Sequence, residues 1–124
     1  DIFAKSFRRR EGLSKNFNFK NFTNKPNLLK KKYDLIINAS NAGMSHGNKI
    51  NRNILRLVKK TKGVIDIVYN PLETDLLKEA EKHNIKSIGG LIMLVEQAKP
   101  SFEIWSKKNI EIDDKIYRSL ISKI

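Results

Sequence analysis

Three short apolar runs rich in β-branched residues, each stopped by small, polar or turn-forming residues, constrain this chain more than any other feature. They are DLIINA (34–39), VIDIVY (64–69, closed by Asn70-Pro71) and a shorter IKSI (85–88, closed by Gly89-Gly90). Continuous apolar runs of this length suit strands buried on both faces, as in parallel sheets, better than the alternating pattern of a half-exposed strand. Between and after them the period changes to that of helices. Residues 54–60 read as a short helix ended by Gly63. Thr74 is a good N-cap for a helix over 75–83, with Asp75 early and Lys82 late, as the macrodipole prefers. Gly90 opens an apolar helix to about Trp105 with Pro100 inside it, and Asp113 caps a last helix carrying Ile116, Leu120 and Ile124 on one stripe. Strands alternating with helices predict an α/β fold with a parallel sheet and helices on its faces.

Upstream, residues 1–4 read as the end of a strand and 7–17 as a basic helix. The charge is segregated: residues 1–62 hold 16 basic and 3 acidic side chains, whereas residues 63–124 hold 9 and 10. The first half therefore attracts anions such as nucleic acid, anionic lipid or a phosphorylated small molecule. No Cys is present, which removes disulfides, thiolate metal sites and a cysteine nucleophile. His46 and His83 have no partner at ligand spacing, so no metal is expected. No run reaches the roughly 18 apolar residues of a membrane span. No secretory leader is read at the start, so the cytoplasm is the expected compartment. Since the chain opens at Asp1, a piece of a longer product is expected.

In open parallel sheets, ligands collect at the carboxyl ends of the strands. That rule directs attention to Lys5-Ser6, Asn38-Ala39-Ser40, Tyr69-Asn70-Pro71 and Gly89-Gly90. These strand ends carry three motifs. Asp34-Leu-Ile-Ile-Asn-Ala-Ser-Asn-Ala-Gly-Met44 resembles the D-L-I-I-N-A-T-P-x-G-M of the shikimate dehydrogenase family. Asp66-Ile-Val-Tyr-Asn-Pro-Leu-Glu-Thr74 resembles its D-x-V-Y-N-P-L-E-T. Gly90-Leu-Ile-Met-Leu-Val-Glu-Gln-Ala98, with Phe102-Glu103 and Trp105, resembles its G-L-G-M-L-V-x-Q-A and F-E-x-W. Counting back from Phe17 places Ala4-Lys5-Ser6 on the family's N-R-T and Arg9 on the basic position after it.

The resemblance implies an incomplete Rossmann-type NADP-binding domain over residues 1–124, the C-terminal part of a shikimate dehydrogenase. It would end in two helices at about 90–105 and 114–124. It implies reversible NADP-dependent reduction of 3-dehydroshikimate to shikimate, with a quinate/shikimate relative of looser cofactor choice as the alternative. Cofactor contacts fall by resemblance on Lys5, Ser6, Arg9, Asn38, Ala39, Ser40, Ile67 and Gly90, and substrate contacts on Tyr69 and Gln97. Lys5 would neutralise the 2′-phosphate of NADP but lacks the bidentate fork of Arg.

The family's first strand, its G-x-G-G-x-x-A loop and its catalytic Lys and Asp have no counterpart here, so no catalytic residue is named. A missing N-terminal domain is the expected partner, a homodimer is compatible with the reading, and the isolated chain is expected to be unstable and inactive. Departures from the pattern are Ala4, Asn41, Asp75 and Ile92, the last replacing a Gly and expected to crowd the nicotinamide pocket. A second class of reading is a non-catalytic basic module that binds nucleic acid or protein. It is disfavoured because the best-matched motifs lie in the electrically neutral half.

Overall fold

The structure, a computed structural model, describes residues 29, 30 and 32–123. The expected strand over 1–4, the basic helix over 7–17 and the sites at Lys5, Ser6 and Arg9 lie outside them. Residues 33–124 form one compact unit. Its elements run β1 (Leu35–Asn38), α1 (Arg52–Val58), β2 (Gly63–Asp66), α2 (Asp75–Lys82), β3 (Lys86–Gly89), α3 (Gly90–Ser106) and α4 (Asp114–Ile121). The strands make a parallel sheet in the order β1-β2-β3. The α/β class and the parallel sheet expected from the three apolar runs are therefore found.

Side-chain alternation assigns the two faces. Ile36 and Val64 pair across β1 and β2, and Val64 joins Ile50, Val58, Leu76 and Ala80 in the core. Leu76 and Ala80 lie four residues apart on α2, so one stripe of that helix seals the sheet. A side chain the size of Val58, Val64 or Leu76 contributes about 1.5–3 kcal/mol when fully buried, and the methyl of Ala80 about 0.8 kcal/mol. The opposite parity behaves differently. Leu35 is 47%, Ile37 57% and Ile88 47% exposed. The double-sided burial expected of these strands thus holds for one face only among the described residues.

The ladder is shorter than the apolar run at β2. Ile67 still donates to the Asn38 carbonyl, but the Val68 amide turns away to a side-chain oxygen of Asp66, which ends the strand. At β3 the ladder extends one residue past the apolar run, because Gly89 pairs with Asp66. Helix ends follow their caps. Thr74 Oγ1 accepts from Leu77 N and Asp113 Oδ1 from Ile116 N. Asn51, which the sequence reading passed over, accepts from Asn53 N and starts α1 two residues early. Pro100 sits inside α3, which continues to Ser106.

Candidate functional site

The carboxyl ends of the three strands bring together residues far apart in sequence. After β1 the chain folds into a tight turn held by its own polar side chains. Asn38 Oδ1 accepts from Ser40 Oγ at 2.7 Å and from Ser40 N at 3.3 Å, and Ser40 Oγ accepts from Ala42 N at 3.2 Å. Asn38 Nδ2 donates to Ala42 O at 2.9 Å and across the sheet to Asp66 Oδ1 at 2.9 Å. Gly43 follows at φ +94°, a conformation open to glycine but rarely to other residues, which accounts for the Gly of that motif.

After β2 the segment from Val68 to Thr74 makes a loop with a cis Asn70–Pro71 peptide. Asp66 is fully buried and holds both ends of it. Val68 N donates to Asp66 Oδ1 at 3.1 Å and Thr74 Oγ1 to Asp66 Oδ2 at 2.6 Å. A direct bridge also joins the two loops, Ser45 Oγ donating to Asn70 Oδ1 at 2.9 Å. Sequence reasoning missed Asp66 as a site residue. The available signal was a carboxylate inside an apolar strand, which must find donors to be buried there.

The expected site residues fall as follows. Ala39 and Ser40 are exposed beside the end of β1, Ile67 is half-buried and Tyr69 is 41% exposed at the end of β2. The side-chain amide of Asn38 is engaged by Ser40, Ala42 and Asp66. Gly90 is buried, and a Cβ there would run into the carbonyl oxygen of Ile67 and stand 2.7 Å from that of Val68. The glycine is therefore demanded by the approach of α3 to the end of β2. Gln97 lies on an exposed side of α3 about two turns beyond Gly90. Ile92 is 49% exposed in the first turn of that helix.

What the strand ends offer is a shelf of small, hydroxyl-bearing and apolar groups. The last residues of β1, β2 and β3 include one carboxylate, Asp66, and its oxygens already face three donors. The small and apolar groups left at these strand ends leave room for a flat ring such as nicotinamide, and no other charged side chain is among the last residues of the three strands. Among the described residues no group of three or more His, Cys, Asp or Glu could hold a metal ion. His83 instead pairs with Glu79 at 3.0 Å one helical turn away. A shallow groove of about 370 Å³ along α2 is lined by Leu77, Glu81 and Ser87 and by none of the strand-end residues.

A parallel sheet whose loops gather polar and small residues at the strand carboxyl ends is an α/β protein of the kind that binds its ligand at those ends. No protein-family model matches the chain. It is 42% identical over 87 residues to a shikimate dehydrogenase (NADP+) of Methanococcus maripaludis, a match covering 69% of this chain and 31% of that protein. Among solved structures it superposes on a chorismate mutase/shikimate 5-dehydrogenase fusion protein from Clostridium acetobutylicum with a TM-score of 0.74 and 32% identity, covering 98% of this chain and 43% of the other. A shikimate dehydrogenase solved in complex with NADP+ gives a TM-score of 0.60 at 30% identity, covering 92% of this chain and 41% of that one. The chain belongs to the shikimate dehydrogenase family. It spans about a third of the length of the curated relative it matches.

Proposed function

We propose that residues 1–124 are the C-terminal, cofactor-side part of an NADP-dependent shikimate dehydrogenase, acting on shikimate and 3-dehydroshikimate. The observation that carries the reading is the convergence of three family motifs, separated in sequence, on the carboxyl ends of three adjacent parallel strands. The NADP+ held by a solved family member supports the choice of cofactor.

On this reading NADP, when bound, supplies the hydride acceptor, and the chain supplies placement. Ala39 and Ser40 line the nicotinamide side, and Ile67 gives the ring an apolar backing that keeps water from its reactive face. Tyr69 and Gln97 bind the hydroxyls and carboxylate of the substrate and so hold its C3 carbon towards the ring. Lys5, Ser6 and Arg9 take the 2′-phosphate, where a cation replaces the acidic residue of NAD-binding relatives of the fold. The proton of the substrate hydroxyl leaves to a base on the remainder of the enzyme.

Steady-state oxidation of shikimate by the complete enzyme of which this chain is the cofactor-side part tests the reading. NADP+ is expected to support turnover and NAD+ to do so more weakly. Equal use of NAD+, or oxidation of quinate in preference to shikimate, would overturn the cofactor or the substrate assignment respectively.

A further inference from the structure

The geometry points to Asp66 as the positioning residue that locks the cofactor-lining turn and the substrate-facing loop to each other. The assignment rests on the reading given above for Ser40 and Tyr69, but its structural content stands apart from it. One carboxylate, without solvent exposure, accepts from Val68 N and Thr74 Oγ1 and so clasps both ends of the loop that carries Tyr69. The same carboxylate accepts from Asn38 Nδ2, and Asn38 in turn fixes Ser40 through its Oδ1 and Ala42 through its Nδ2. Three donors and no acceptor face Asp66 in these bonds, so neither loop can shift without withdrawing a donor from a buried oxygen. Because Asn38 also touches three partners, a movement of Ser40 is transmitted to the base of the Tyr69 loop through two side chains. The exposed Ser45–Asn70 bridge reinforces the same coupling at the rim.

A structural role alone would be met by any residue that fills the space, so the test separates the two. Asp66→Asn keeps the volume and removes one acceptor oxygen. Val64→Ala, on the same face of β2, trims the core and leaves the loop bonds intact. In the complete enzyme that carries this chain, amide hydrogen exchange is followed residue by residue, together with the KM for NADP+ and for shikimate. In Asp66→Asn, exchange at Ala42 and at Val68 is expected to accelerate about tenfold or more relative to β1 and β2, the scale of one lost buried hydrogen bond. Both KM values are expected to rise together while Val64→Ala raises neither. Loosening of only one loop in Asp66→Asn, or the same pattern in Val64→Ala, would overturn the coupling. A wild-type protein with no affinity for NADP+ or shikimate would overturn the functional reading instead, and the exchange pattern would still decide the coupling.

Discussion

Gly90→Ala separates two reasons for a glycine at the start of α3. If the glycine exists to admit a nicotinamide ring, alanine costs affinity and leaves the fold alone. The structure gives the other reason. The added methyl would collide with the Ile67 carbonyl oxygen and stand 2.7 Å from the Val68 carbonyl oxygen. Carbon and carbonyl oxygen approach no closer than about 3.3 Å even in favourable C–H···O contacts. The helix start must therefore retreat by at least about 0.6 Å from Val68, and further from Ile67. Both obstacles are backbone, so no rotamer change relieves them, and the retreat strains the Gly90 N to Val68 O hydrogen bond of 3.2 Å. Overpacking of this kind costs about 1–3 kcal/mol, and the backbone character of both contacts puts this case near the upper figure. For a unit of this size that lowers Tm by about 15 °C. Thermal unfolding followed by circular dichroism, with and without NADP+, is the assay. An unchanged Tm with lost NADP+ affinity would refute the steric argument.

Three further outcomes follow from the same geometry. Thr74→Ala removes both the cap of α2 and a donor to buried Asp66, and should cost about 2 kcal/mol or more in urea unfolding, with Thr74→Ser restoring most of it. Ile92→Gly should tighten NADPH binding if the branched side chain crowds the pocket. Because Ile92 is 49% exposed, loss of its half-buried side chain and the poor helix propensity of glycine should together cost about 1–2 kcal/mol, and an unchanged dissociation constant in a titration would place Ile92 clear of the site. Lys62 beside Asp34 holds that carboxyl below its ordinary value, and Asp34 holds the ammonium above its own. The carboxylate's contribution is present above its unfolded value and lost as pH falls through the lowered one. The ammonium's is present below its unfolded value and lost as pH rises through the raised one. The pair is thus intact throughout the neutral range, and both side chains are more than four-fifths exposed, so solvent screens it. Asp34→Asn should have the same Tm as the unsubstituted protein at each pH between about 5 and 9.

Elements with a local signature were legible in the sequence. The apolar runs gave the strands, and Thr74 and Asp113 gave helix starts because their side chains satisfy amides two or three residues away. Properties set by distant partners were not legible. Asp66 reads as one acid in an apolar run, and nothing local names Asn38, 28 residues earlier, as its donor. Nor does anything local announce the neighbours of Asn38 and Gly90, which are the turn after β1 and the carbonyls ending β2. The exposure of Leu35 and Ile37 was also hidden, because strand composition does not say whether both faces are covered.

Chemical-shift mapping of backbone amides during a titration with NADP+ decides whether the cofactor sits on the strand ends. Saturable shifts are expected to concentrate at Ala39, Ser40, Ile67 and Tyr69, the residues at the carboxyl ends of β1 and β2. Shifts confined to the groove of Leu77, Glu81 and Ser87, or no saturable shift at the strand ends, would contradict that placement.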